Sequence, residues 1–185
     1  MISRVVRLIF IIAICLTVSS WTSVQAEPTT PREYMIKAGF LYNFAKFVDW
    51  PEEVFENSST PLIIGILGED PFGNDLDQII KKKTVKERSI LIKRLKTLDE
   101  LKVCHILFIS ASEKSHLSKV ISKTKDWHVL TVSEMEGFAE LGGIINFTKE
   151  GNKIRFEINL DAAEQSGLKI SSRLLKLAKI IREKD

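Results

Sequence analysis

Apolar positions along the chain follow three patterns, and each predicts a different kind of element. Tyr34, Met35, Ala38, Leu41, Tyr42, Ala45 and Val48 recur with a helical period, and Phe40, Phe44 and Phe47 form a second ridge beside them. Thr30-Pro31-Arg32-Glu33 supplies an N-cap, a proline at the first helical position and a glutamate that closes a capping box. Trp50-Pro51 ends this helix, because the residue before a proline is pushed out of the α region. A helix with so wide an apolar surface is either mostly buried or keeps part of that surface for a partner.

Short, unbroken apolar runs predict strands covered on both faces. They occur at Leu62–Leu67, Ser89–Leu95, Cys104–Ile109 and His128–Val132. Between them, Asp70 caps a helix that Pro71 opens and that reaches about Lys82, and Thr97 to Leu101 makes a short helix. Ser112 caps another to about Thr124, and a brief one around Glu136 to Leu141 ends at Gly142-Gly143. Strict alternation marks Ile144–Thr148 and Ile154–Ile158 as arms of a hairpin about Glu150-Gly151-Asn152. Asn159 or Asp161 caps a short helix stopped by Gly167, and Ser171 or Ser172 caps a last one with Ile170, Leu174, Leu177, Ala178 and Ile181 on one stripe. The fold class is α/β: a single three-layer domain with a mixed β-sheet flanked by helices and a late antiparallel hairpin.

The first residues follow a different logic. Arg4 and Arg7 precede an apolar run from Leu8 to Val18, and Val24-Gln25-Ala26 places small residues before Glu27. This order predicts a secretory signal peptide over residues 1–26, leaving a domain at 27–185. An uncleaved anchor needs a run roughly twice as long. Lipidation at Cys15 is disfavoured by the bulky Ile14 before it.

Removal of the leader changes the charge balance. The domain carries 25 basic and 24 acidic residues, which gives no electrostatic case for nucleic acid. Lys81-Lys82-Lys83 with Lys86 and Arg88 is the nearest thing to a basic patch and reads as a solvated helix end. Cys104 is the one cysteine left, so it is either a buried small hydrophobe or a route to an intermolecular bridge.

Candidate chemistry is sparse. There is no Gly-x-Ser-x-Gly elbow, and Cys104 and His105 point to opposite faces of a strand. His105, His116 and His128 stand singly, without metal-ligand spacing. Gly65, Gly68 and Gly73 are wrongly spaced for a dinucleotide fingerprint, and a capping turn explains Glu69-Asp70 more simply than an acid/base pair does. The sequence predicts neither an enzyme nor a cofactor or metal site. One cluster keeps interest as a ligand-binding site: Arg155, Asn159, Lys169 and Arg173, with Ser171 and Ser172, surround two helix N-termini and suit an anion. Phe40, Phe44 and Phe47 are the candidate contact with a protein partner.

Several blocks, in order over most of the chain, then become familiar. They are Tyr34-Met-Ile-Lys-Ala-Gly-Phe-Leu-Tyr-Asn-Phe-Ala-Lys-Phe-Val-Asp-Trp-Pro51, Gly65-Ile-Leu-Gly-Glu-Asp-Pro-Phe-Gly73 and Cys104-His-Ile-Leu-Phe-Ile-Ser110. Phe138-Ala-Glu-Leu-Gly-Gly-Ile-Ile-Asn-Phe147, Ile154-Arg-Phe-Glu-Ile-Asn-Leu-Asp-Ala-Ala163 and Leu168-Lys-Ile-Ser-Ser-Arg-Leu-Leu-Lys-Leu-Ala178 follow. With them the chain resembles the YfiR/HmsC-type periplasmic proteins. The resemblance implies a non-enzymatic repressor that engages the periplasmic sensor domain of an inner-membrane diguanylate cyclase, lowering cyclic di-GMP and biofilm formation. It further implies a homodimer, a link to an outer-membrane lipoprotein, and small anionic or aromatic ligands. Relatives of the YfiR type use cysteine pairs. Cys104 stands alone here, so a redox switch within one chain does not carry over.

Overall fold

An unbroken apolar strand needs cover on both faces, and the structure provides it with helices and turns packed on either side of one sheet. This computed structural model describes residues 31–182. Thr30 and the expected leader lie outside the described residues.

Helix α1 (Pro31–Phe47) runs into the two-residue strand β1 (Val48–Asp49) and a 3₁₀ turn at Glu52–Val54. Then come β2 (Leu62–Leu67), α2 (Asn74–Ile80), β3 (Thr84–Val85), β4 (Arg88–Leu95) and a 3₁₀ helix at Leu98–Val103. After β5 (Ile106–Ile109), a 3₁₀ stretch at Ala111–His116 passes into α3 (Leu117–Thr124), followed by β6 (Leu130–Ser133) and the hairpin β7 (Ile145–Glu150) and β8 (Lys153–Asn159). The chain closes with α4 (Leu160–Gln165), β9 (Lys169–Ile170), α5 (Ser172–Leu175) and β10 (Lys179–Ile181).

The main sheet has the order β10-β8-β7-β6-β5-β2-β4-β3. The five strands from β7 to β4 are parallel, whereas β8 runs antiparallel to β7 and β3 antiparallel to β4. Strand β5 shows why the run at 106–109 is unbroken: Ile106 and Phe108 join the core under α1 and α2, while Leu107 and Ile109 join the core under α3. Period-2 alternation thus divides one apolar run between two cores. The α/β class and the mixed sheet agree with the sequence pattern.

Several element boundaries are corrected. The helix expected to open at Pro71 starts at Asn74, because Asp70 Oδ1 accepts the Phe72 N–H at 2.7 Å and closes a turn instead. Ser112 does not cap a helix; its hydroxyl accepts the Glu69 N–H at 3.0 Å. Residues 136–141 form turns rather than a helix. The last expected helix stops at Leu175, and Lys179–Ile181 pairs parallel with Glu157–Asn159 as β10. Its stripe fails because Leu177 faces solvent and the sheet edge offers the backbone better partners. The small sheet of β1 and β9, which joins Val48 to Ile170, was not foreseen.

Candidate functional site

At the amino end of the parallel strands, Cys104, His105 and His128 line an open cleft of about 660 Å³. His105 is buried, and its Nδ1 accepts the Ile63 N–H at 3.0 Å, which places the ring proton on Nε2. Phe55 stacks on that ring at 4.6 Å between centroids, and the Arg88 guanidinium lies 4.0 Å from the Phe55 centroid. Arg88 also donates to the carbonyls of Asn57, Ser58 and Thr60, so it pins the 50s loop. Burial, and secondarily Arg88, pushes the His105 pKa down to about 4. Cys104 is buried beside Leu95 and Leu101, and burial pushes its thiol up to about 11. His128 Nδ1 donates to the Ser166 carbonyl at 2.8 Å. Neither Cys104 nor His105 is poised as a nucleophile or a base. Among the described residues no three His, Cys, Asp or Glu side chains are grouped to hold a metal ion.

At the carboxyl ends the polar groups neutralise one another. Lys37, buried on α1, bonds Glu33 Oε1 at 2.5 Å and also Glu134 just beyond β6. Tyr34 donates to Glu134 at 2.9 Å, and Lys37 Nζ sits 4.7 Å from the Tyr34 ring centroid. The network fixes the first turns of α1 to the sheet.

The four residues expected to bind a ligand do not converge. Asn159 is wholly buried: its Oδ1 accepts the Ala162 N–H at 2.9 Å to cap α4, and its Nδ2 donates to the Ala139 carbonyl at 2.8 Å. Arg155 pairs with Glu150 across the hairpin. Lys169 is exposed on β9, whereas Arg173 is exposed on α5, a helix of only four residues. Of the two alternatives at each helix, Asn159 caps α4 and Ser171 caps α5, and those caps satisfy the helices rather than an anion.

The expected partner contact is also revised. Phe44 is wholly buried and packs on Phe147 at 5.7 Å and Phe156 at 5.2 Å, so it presents no surface. Phe40 rests half-buried on the same two rings, and Phe47 is half-buried against the core. The apolar residues that α1 does expose are Met35 and Ile36, at 50% and 41%. Met35 had been assigned to the buried stripe. Its turn-mates Arg32, Gly39, Asn43 and Lys46 are mostly polar or small, and that was the missed signal.

A second exposed apolar group rims an open cleft of about 940 Å³ between α3, α4 and β10. Leu141 and Ile180 line it, exposed at 61% and 39%, together with Ile121, Ile144, Lys125 and Arg182. Among the described residues β10 pairs with β8 alone, so the cleft lies beside an open sheet edge. Such an edge can accept a further strand, and the cleft can seat its side chains.

A family model described as YfiR/HmsC-like matches residues 34–179. No curated protein matches the chain. Among solved structures, the fold is similar to an ABC domain in complex with L-Trp from Streptococcus pneumonia, with a TM-score of 0.44 and 15% identity. That match covers 65% of this chain and 55% of the other.

Proposed function

Since the chain belongs to the YfiR/HmsC-like family, we propose that it is a periplasmic regulatory protein that binds the periplasmic sensor part of an inner-membrane diguanylate cyclase and represses it. The carrying observation is the open edge of β10 beside its apolar-rimmed cleft. Repression needs no chemistry on this chain. It requires tighter binding to the inactive form of the sensor than to the active one, and the ratio of the two affinities sets the depth of repression. A segment from the sensor would add to β10 and place apolar side chains between Leu141 and Ile180. The buried His105, Lys37 and Asn159 serve this role by holding the sheet and its helices rigid.

The test is cyclic di-GMP in the native host. Deletion of the gene raises it, and restoration with the wild-type sequence lowers it again. Restoration with Leu141→Asp and Ile180→Asp together leaves it high while the protein accumulates normally. An unchanged level on deletion refutes the reading.

The cleft also favours a second reading, a small-ligand binding protein that reports to a membrane receptor. Its volume is within the ordinary range of small-molecule sites, and Lys125 lines it together with Glu140 and with Arg182, which pairs with Asp161. Calorimetric binding of an aromatic carboxylate such as benzoate, abolished by Lys125→Ala with Arg182→Ala, supports this reading over a protein contact.

A further inference from the structure

Helix α1 carries apolar residues on more than one side, yet only one side of it is in the core. At about 100° per residue, an outward arc of about 100° carries Arg32, Met35, Ile36, Gly39, Asn43 and Lys46. Met35 and Ile36 are half-exposed, and a Cβ built on Gly39 would meet nothing within 4 Å, so no other part of the described protein covers the helix there. The arc holds no acidic residue, since Glu33 turns inward to Lys37.

Cations continue past the end of the helix. Lys46 and Lys83 converge on the Tyr42 ring, 5.6 and 4.4 Å from its centroid, and the exposed Lys81 and Lys82 extend the same edge. Apart from Lys86, which pairs with Asp49, the lysines at this corner have no carboxylate partner among the described residues. We propose that this outward face of α1, with the lysines beside it, docks the protein onto an anionic phospholipid surface.

Charge and shape select that occupant. A second copy laid on the same face would bring Arg32 against Lys46 in an antiparallel pairing, or each cation against its twin in a parallel one, and both repel. A protein anchor needs a pocket to fill, and Met35, Ile36, Gly39 and Asn43 line neither the β10 cleft nor the clefts about Cys104, Lys37 and Trp50. A fluid headgroup layer needs no pocket. It takes up apolar tips at the depth of the glycerol groups and holds lysines at the phosphates. The docking face is separate from the β10 cleft, so a membrane-bound molecule keeps its sheet edge free. The inference stands on the geometry of α1 and does not depend on the identity of the receptor.

Vesicle sedimentation tests it, with the protein purified in the form its host produces. The expected result is binding to phosphatidylglycerol–phosphatidylethanolamine vesicles at least about tenfold tighter than to phosphatidylcholine vesicles, and weaker in raised salt. Ile36→Asp lowers that binding by about tenfold with unchanged circular dichroism, because the side chain is already exposed. Lys46→Glu with Lys83→Glu removes most of the salt dependence, and Asn43→Lys strengthens binding. Equal affinity for the two vesicle types, no sedimentation, or binding unaffected by Ile36→Asp overturns the proposal. So does a photocrosslinker at Ile36 that captures an acidic protein while vesicles go unbound.

Discussion

His105 and Ile63 share a hydrogen bond in which the side chain is the acceptor: the backbone N–H at the start of β2 donates to the imidazole Nδ1 at 3.0 Å. This bond exists only while the ring is neutral. Burial, and Arg88 beyond the stacked Phe55, make the charged form still less favourable.

Acid therefore destabilises the fold through this residue. With a folded pKa of about 4 against 6.5 unfolded, the unfolded chain binds more protons throughout that window. Stability from this group is complete above pH 6.5, falls by up to about 1.4 kcal/mol per pH unit as the pH drops, and levels off below pH 4. Denaturation midpoints at a series of pH values measure the slope. His105→Phe flattens the slope and costs about 1–3 kcal/mol at neutral pH, because the Ile63 N–H loses its acceptor.

Phe44→Ala and Ile36→Ala separate the two sides of α1. The first empties a site between Phe147 and Phe156 and costs about 3–5 kcal/mol in urea denaturation. The second, at an exposed position, changes stability by less than about 0.5 kcal/mol.

Replacing Lys37 by Met leaves Glu33 and Glu134 facing each other without their cation. The expected loss is about 3 kcal/mol, and converting both acids to Gln in the same chain recovers part of it. Thermal melting of the single and triple variants checks this. Full stability of Lys37→Met would show that the network holds nothing in place.

Gly65 on β2 and Cys104 just before β5 are coupled, since a Cβ at Gly65 would come 2.5 Å from the Cys104 sulfur and 2.9 Å from Leu95 Cδ1. Gly65→Ala costs about 1–3 kcal/mol, and Cys104→Ala in the same chain restores part of it. A thiol reagent at neutral pH labels Cys104 slowly in the native protein and quickly in denaturant, because burial keeps the native thiol protonated.

The parts of this architecture that were legible in the sequence are those where local pattern and tertiary environment agree. The run at Leu62–Leu67 became β2, the run at Cys104–Ile109 supplied β5 from Ile106 onward, and the alternating arms around Gly151 became β7 and β8. The misreadings arose where long-range pairing outweighed local preference. Residues 179–181 look helical until β8 offers them a ladder. In α1 the buried stripe through Ala38, Leu41, Ala45 and Val48 was legible, but the seat of the ridge at Phe40, Phe44 and Phe47 was not. Phe44 and Ile36 are equally hydrophobic in the sequence, and only the seat made by Phe147 and Phe156 decides which is buried. The candidate ligand cluster failed for a related reason. Asn159 and Ser171 have the chemistry of anion binding, but each spends it on its own helix.

The first helix of the fold is seated on its last strands. The bed for Phe44 comes from β7 and β8, and the end of α1 is clasped by Ser171, whose N–H donates to the Phe47 carbonyl at 2.9 Å, and by the pairing of Val48 with Ile170. A chain emerging from the ribosome or a translocation channel has made α1 more than a hundred residues before its seat exists. Folding must therefore wait for the whole sequence. For a polypeptide read as one that crosses a membrane unfolded, such late closure keeps the nascent chain threadable until the crossing is complete.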